Sequence, residues 1–393
     1  MTPLFRKFLG MNWVLVFTMY GLLVFGVFSI ESAARHIPVS SLGDNPELWG
    51  AWFADRQKIW ILVGSLVYFV VALTDYRWLM WLGVPMYLVG IGMLFVLMAQ
   101  DSEVHQLTVM GLSFQPTQLV IAAGIIMVGL SFQVLPRIQR WLGHPACRLA
   151  IIGVLCGIPF LLVVKNGDMG SAIVWLPVAF VTMLVGGIPY RYLLFMGLIG
   201  AGILPIIYFI ILPGVSERGY ARVNNYLENV QRGQITNTDK NYAEYRVTMA
   251  VGKAGWRGAG YASQSKDSLH NRKDIPWKTA HNDYIFAVIA EEQGFRGSLL
   301  LLTGFALLLI QCLFVAYYSR DFAGQIIAAG VVGLLFAHIF ENIGMCVSIM
   351  PITGIPLPLI SYSGTFVLIC MFLLGLVQSI WVHRNSGRVE TES

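Results

Sequence analysis

Three carboxylates fall in one short segment, at the point where a polar stretch meets an apolar one. HNDYIFAVIAEEQGFRG (281–297) carries Asp283, Glu291 and Glu292, and an uncharged run long enough to cross a bilayer follows it. Ionisable groups at membrane depth indicate function. By residue type, Asp283 is either the N-cap of the following helix or a catalytic or coordinating carboxylate, and the two roles are compatible. For the two glutamates the pattern favours a structural role, paired with Arg296 or a helix end, over ion coupling.

Other polar residues interrupt the apolar segments. KNGDMGSA contains Lys165 and Asp168, which form either a local ion pair or part of a site. The segment 346–361 is rich in proline and glycine and excludes regular helix. At membrane depth such a chain must be buried in protein or line a cavity. We therefore predict a polar cavity open to the outside, and we interpret QPTQ (115–118) as a helix cap.

Composition limits the class of protein. The chain has 393 residues, of which 56% are hydrophobic and 12% charged. Soluble domains carry about a quarter charged residues, so the sequence predicts a polytopic membrane protein. The net charge of +5 comes without a basic run, which argues against a nucleic-acid partner. Five cysteines without CxxC spacing predict packing rather than disulfides or a metal cluster.

The apolar segments predict an all-α protein with a single transmembrane domain, residues 1–393, and ten spans of about 20 residues. Cytoplasmic loops are richer in Lys and Arg. With the N-terminus inside, ten such residues fall on the inner side and four in the short outer loops. Both termini are therefore predicted to be cytoplasmic, with a large extracytoplasmic loop, 213–282, between spans 7 and 8. The predicted spans are 13–31, 57–74, 79–98, 118–135, 148–164, 170–187, 190–212, 297–318, 325–345 and 362–383.

The large loop is patterned. GYARVNNYLENVQRG (219–233) has apolar residues at helical spacing, which predicts an amphipathic helix on the outer leaflet. EYRVTMAV (244–251) predicts a second short helix. GKAGWRGAG (252–260) and the polar residues after it predict a flexible loop able to close over a lipid head group.

Four blocks resemble a known family. NIGMCVSIMPITGIPLPLISYSGT resembles the signature of the SEDS family (RodA, FtsW and SpoVE), and HNDYIFAVIAEEQGFRG, KNGDMGSA and QPTQ resemble further family blocks. The resemblance covers nearly the whole chain and is closer to RodA than to FtsW. It implies a peptidoglycan glycosyltransferase of the cytoplasmic (inner) membrane, which polymerises lipid II at the outer face during elongation and shape maintenance. The implied partners are a class B penicillin-binding protein, which is a transpeptidase, other elongation-complex proteins and membrane lipid.

The resemblance also implies roles for residues. It maps the essential carboxylate of the family onto Asp283, the predicted general base. Cationic side chains, or a divalent ion such as Mg²⁺ or Mn²⁺, would neutralise the leaving diphosphate, and no other cofactor is expected. Asp168 would position Lys165 or hold the ion. The predicted substrate-binding residues are Lys165, Asp168, Arg222, Arg246, Lys253, Gln264, His281, Ser361 and Tyr362.

The sequence departs from the family at several points. Gln118 and Ile121 replace a Glu and a Lys, the approach to Asp283 is two residues longer, and SYGG has become SYSG. These changes predict an altered lining of the site. Two rival functions use the same features: a flippase that transports lipid II, and a non-catalytic scaffold. The flippase is disfavoured because no internal repeat is visible.

Overall fold

The computed structural model describes residues 3–40, 42–43, 46–100, 107–109, 112–206, 209, 212–215, 217–233, 235 and 241–385. These residues form α-helices, one antiparallel hairpin and a 3₁₀ turn at Arg140–Gly143. The elements in chain order are α1 (Pro3–Leu9), α2 (Trp13–Ala33), α3 (Pro46–Leu73), α4 (Tyr76–Ala99), β1 (Leu107–Val109), β2 (Leu112–Phe114), α5 (Pro116–Ile138), α6 (Pro145–Lys165), α7 (Met169–Val185), α8 (Tyr190–Ile206), α9 (Leu212–Val215), α10 (Glu217–Arg232), α11 (Tyr242–Lys253), α12 (Ile285–Tyr317), α13 (Phe322–Cys346) and α14 (Gly364–Val382).

A helix covers all or most of each of the ten predicted spans. In the described part of the chain, eight helices are long and apolar enough to cross a membrane, and α7 is an apolar helix of 17 residues. Helix α8 also has 17 residues. The protein is therefore an all-helical, multi-pass membrane protein apart from the small hairpin. Helix α12 begins at Ile285, well before the predicted start at 297, because two helices run together across a kink at Gly294.

Helices α13, α14 and α5 form the centre of the bundle. Of their most apolar windows, 83%, 78% and 61% of residues are buried, against 22% for α4 and α6. Glycines permit this close packing: a Cβ on Gly330 would overlap Ile125 of α5, and one on Gly333 would lie 3.2 Å from Val178 of α7. The outer helices instead turn many large apolar side chains outward. This pattern is that of a helical bundle in lipid.

The kink in α12 is closed by the glycine-rich segment 252–260. Phe295 N donates to Gly255 O (2.9 Å), and Ala259 N donates to Glu291 O (2.8 Å). The loop thus satisfies a free N–H and a free carbonyl that the break in the helix leaves. The prediction that this segment is flexible is wrong, because it is hydrogen-bonded to the helix on both sides of Gly294. Four of the five cysteines are buried, which confirms the packing role predicted for those four, and Cys147 is half-buried.

We expect Gly258→Ala to destabilise the protein by about 2–4 kcal/mol. Gly258 has φ +72° and a Cβ there would overlap the Glu292 carbonyl and lie 2.5 Å from Gly294 N. The matched control is Gly252→Ala in α11, where nothing lies within 4 Å. Thermal unfolding in detergent should show a lower melting temperature for Gly258→Ala alone. Equal melting temperatures would contradict the packing argument.

Helices α10 and α11 confirm the two helices predicted in the large loop. They cover the segment after α13: the Tyr226 hydroxyl donates to Ile349 O (2.6 Å), and Thr248 Oγ1 lies 2.6 Å from Ser348 Oγ. A buried contact joins the two helices, since Asn229 Nδ2 donates to Glu244 Oε2 (3.0 Å). The position of α10 on the outer leaflet stays a prediction.

Candidate active site

Asp283 lies in a short turn held from two sides. Its backbone N–H donates to Thr279 O (2.9 Å). Its carbonyl accepts from Asn342 Nδ2 (2.8 Å), which also donates to Ile355 O (2.7 Å). Asn342 therefore ties the turn before α12 to the segment after α13. The following helix begins at Ile285 and has no side-chain cap, so the interpretation of Asp283 as an N-cap is wrong.

The Asp283 side chain faces a cavity of about 360 Å³. The cavity brings together four predicted site residues, Asp283, Asp168, Arg222 and Tyr362, from four separate segments of the chain. Its lining comprises Gln115, Gly167, Asp168, Met169, Arg222, Thr279, Asn282, Asp283, Thr353, Gly354, Pro356, Tyr362 and Ser363.

The cavity changes the acidity of Asp283. Burial raises its pKa to about 7, the Arg222 guanidinium opposes the rise, and the negative charge of Asp168 adds to it. A carboxyl group with a pKa near neutrality can take up a proton during a reaction at physiological pH. Gly354 lies next to the carboxyl group, since a Cβ there would be in van der Waals contact with Asp283 Oδ2 at 3.5 Å, and its φ of +77° favours glycine at this position.

Asp168 has two partners, neither of which is Lys165. Its Oδ1 accepts from Ser171 N (3.1 Å) and caps α7, while Oδ2 accepts from Gln115 Nε2 (3.4 Å). Lys165, at the end of α6, is not in the cavity lining. Gln115 precedes α5 without capping it through its side chain. The interpretation of QPTQ as a cap therefore missed a cavity residue, although the resemblance to a family block had marked this stretch.

His281 and Ser361 are not among the residues that line the cavity, but each contacts a residue that does. The His281 ring packs against Phe53 (4.8 Å between centroids) and Tyr362 (5.3 Å). Burial lowers its pKa to about 4, so it is neutral at pH 7. Ser361 is buried, donates to Asn282 O (2.6 Å) and accepts from Leu357 N (2.8 Å). Both residues position neighbours of Asp283.

Three other predicted residues lie away from the Asp283 cavity. Arg246 pairs with Asp274 (3.4 Å). Lys253 lines a second cavity of about 580 Å³. The Gln264 backbone carbonyl accepts from Asn271 Nδ2 (3.1 Å). Their substrate-binding role stays a prediction, and the structure does not bring them to Asp283.

Glu291 and Glu292 hold the loop before Asp283. Glu291 accepts from Leu269 N (2.5 Å) and His270 N (3.0 Å). Glu292 accepts from the Ser32 hydroxyl and lies 3.8 Å from His270 Nδ1. The structural role favoured from the sequence is confirmed, with loop backbone and Ser32 as partners instead of Arg296.

The departures at Gln118 and Ile121 lie inside the bundle. Both residues are buried, and within the described chain neither polar atom of the Gln118 side chain has a hydrogen-bond partner.

The described residues also contain no group of three or more His, Cys, Asp or Glu that could hold a metal ion. Asp168 and Asp283 are the carboxylates that line the cavity.

Comparison with known proteins decides the family. The family that groups FtsW, RodA and SpoVE, described as cell cycle proteins, matches residues 12–386. The chain belongs to this family. The matched range includes the blocks in which Asp283, Asp168 and the segment after α13 lie, and the resemblance seen in the sequence is confirmed.

Relatives and a solved structure agree with this placement. Peptidoglycan glycosyltransferase MrdB of Escherichia coli K12 is 30% identical over 280 residues, which cover 69% of each chain. A probable peptidoglycan glycosyltransferase FtsW of Geobacter sp. M18 is 26% identical, covering 95% of this chain and 98% of the other. A chain from the structure of a peptidoglycan synthase complex superposes with a TM-score of 0.74 at 23% identity, over 95% of this chain and 98% of that one. The last likeness shows the fold.

Proposed function

We propose that this protein is a peptidoglycan glycosyltransferase that polymerises lipid II into β-1,4 glycan strands, acting in cell elongation. Family membership and the names of its relatives support this activity. The observation that carries the mechanism is the cavity in which Asp283 lies with Arg222 and Asp168. A half-buried acid beside a cation suits a reaction that removes a proton and releases a diphosphate.

The stereochemistry suits a single displacement. Lipid II carries its sugar on a diphosphate in the α configuration, and the polymer is β-linked. Asp283 takes the proton of the acceptor 4-hydroxyl as that oxygen attacks the anomeric carbon of the donor. The bond from that carbon to the diphosphate breaks, and undecaprenyl diphosphate leaves. Arg222 neutralises the charge that develops on it.

A divalent cation would fit this cavity. Mg²⁺ binds through one or two carboxylates together with substrate phosphates, and Asp168 is the residue that would hold it here. Bound there, the ion would add positive charge beside the diphosphate. Lipid II, membrane lipid, a class B penicillin-binding protein and further elongation proteins remain the proposed partners.

We place the cavity on the extracytoplasmic face of the inner membrane, with ten spans and both termini cytoplasmic. The cavity is lined from the starts of α5, α7 and α12 and from the segment between α13 and α14. The starts of α7 and α12 lie on the same face of the membrane, and α7 and α8 connect them. Either both of these helices cross the membrane, α7 away from that face and α8 back to it, or neither crosses. At 17 residues each is about 26 Å long, close to the bilayer core. The loop 213–282 and the segment 346–361 then lie outside.

Purified protein in detergent, supplied with lipid II alone, tests the activity. The enzyme makes glycan polymer, whereas a lipid II flippase has no reaction to perform in a micelle. A parallel sample with a class B penicillin-binding protein tests whether the partner raises the rate. Absence of polymer in both samples would contradict the proposal.

We expect the acidic side of the pH profile of the polymerisation rate to show a single ionisation near pH 7. Asp283 acts as a base only when ionised, and burial raises its pKa to about 7, so the rate should fall about tenfold for each unit below pH 6. His281, with a pKa of about 4, does not titrate there. The pH dependence of kcat/KM measures this. A rate independent of pH between 5 and 8 would contradict it.

A further inference from the structure

Only one of the predicted cations lines the Asp283 cavity. Among its described lining residues Arg222 is the sole Lys or Arg. If the proposed function holds, two anionic substrates must be present at once, because the first condensation joins two molecules of lipid II. The donor diphosphate leaves from the reacting carbon, beside Asp283. The acceptor diphosphate lies a disaccharide away, so a cation that binds it would lie at a distance from Asp283.

The outer end of α3 is packed onto the wall of this cavity. The Phe53 ring meets the Tyr362 ring edge to face, with centroids 5.1 Å apart. Next to it, Gln57 Nε2 donates to Ser361 O (3.4 Å). Tyr362 lines the cavity, so the turn of α3 that carries Phe53 and Gln57 borders the site, although no prediction included it.

Arg56 is on the same turn. Its guanidinium lies over the Trp52 ring, 4.2 Å from the centroid, and it interacts with the Tyr362 hydroxyl. The side chain is exposed. Its neighbour Asp55 pairs with Lys58 (2.8 Å), and no carboxylate of the described chain forms a salt bridge with Arg56. Within the described chain Arg56 is therefore a cation at the edge of the cavity, placed over the Trp52 ring, close to Tyr362 and without an acidic partner.

We propose that Arg56 binds the diphosphate of the second lipid-linked sugar, beside Tyr362 at the edge of the cavity. Arg222, which couples electrostatically to Asp283, serves the diphosphate that leaves. Stacking on Trp52 holds the planar guanidinium for phosphate binding with few rotamers to lose. The two arginines, from α3 and α10, then mark two anion positions, of which the one at Arg222 lines the Asp283 cavity.

Kinetics of lipid II polymerisation by the full-length protein test this. Arg56→Ala should raise KM for lipid II about tenfold while kcat changes less than threefold, and Arg56→Lys should recover part of the loss. The control is Lys58→Ala, an exposed cation on the same helix that already has an acidic partner. It should leave KM unchanged. An Arg56→Ala enzyme with the KM of wild type, or one whose kcat alone falls, would overturn the proposal.

A binding measurement separates this inference from the proposed function. Lipid II in micelles is titrated into Asp283→Asn, Arg222→Ala protein, in which the position of the leaving diphosphate has lost its cation, with and without Arg56→Ala, and neither sample needs to catalyse anything. We expect the added substitution to weaken binding about tenfold. Equal affinities would overturn the role of Arg56 even if wild type polymerises lipid II. If Arg56→Ala weakens binding but wild type never makes polymer, the anion site at Arg56 is supported and the proposed transferase activity is wrong.

Discussion

Asp283→Asn should reduce lipid II polymerisation by about 10²–10⁴-fold, the range that a general base contributes. The amide has nearly the same shape as the carboxylate but cannot accept the proton of the acceptor hydroxyl. The hydrogen bonds that hold this turn use the backbone N–H and carbonyl of Asp283, so the fold should survive the change. Removing a carboxyl group that is partly buried also removes its desolvation penalty, and the melting temperature should not fall.

The measurement is glycan polymer formed from lipid II by purified protein, with melting temperatures recorded on the same samples. Asp267→Asn is the matched control, since Asp267 is an exposed acid of the same loop that lines the second cavity instead. It should polymerise at the wild-type rate. Polymer made at a similar rate by Asp283→Asn would remove Asp283 from the mechanism.

Arg222→Ala should lower kcat about 10²–10³-fold, the usual effect of removing one group that stabilises developing charge. Arg222 is the one Lys or Arg among the described residues that line the cavity, and its charge opposes the rise in the pKa of Asp283. The substitution should therefore also move the acidic limb of the pH profile to higher pH. Arg222→Lys keeps the charge, so it should keep that limb in place while recovering part of the rate.

Arg232→Ala is the control on the same helix. Arg232 is exposed and pairs with Glu228 at 3.4 Å, one turn away, and its removal should change neither kcat nor the pH profile. If Arg222→Ala lowered kcat without moving the acidic limb, the electrostatic coupling to Asp283 would be wrong. If it changed neither, Arg222 would have no part in the reaction.

The membrane helices could be predicted from the sequence because their signal is local. Runs of apolar residues marked ten segments that are all or mostly helical, eight of them long and apolar enough to cross a membrane, and helical spacing marked α10. The kink at Gly294 had no such signal. It depends on a loop more than 30 residues earlier, whose glycines approach the helix backbone in a way that only the tertiary structure reveals. From the sequence alone, the same glycines predicted a flexible loop.

The candidate site was predicted in part for the same reason. Asp283 and Asp168 stand out because charged residues are rare beside apolar runs. Gln115 and Arg56 gave no comparable signal from charge: Gln115 is neutral and was marked only by the resemblance of its block to the family, and Arg56 is one of several charged residues in the first half of α3. Conversely, Lys165 and Arg246 had suitable charges but lie elsewhere. The packing of the helices determines which cations lie near Asp283.

Chemical rescue of Asp283→Cys tests the central claim most directly. Four of the five native cysteines are buried, and Cys147→Ser provides the background for selective alkylation. The untreated variant should make no polymer. Iodoacetate, which attaches a carboxylate to the new thiol, should restore polymerisation, whereas iodoacetamide, which attaches a neutral amide of similar size, should not. Equal activity after both reagents, or wild-type activity before either, would contradict a carboxylate base at this position.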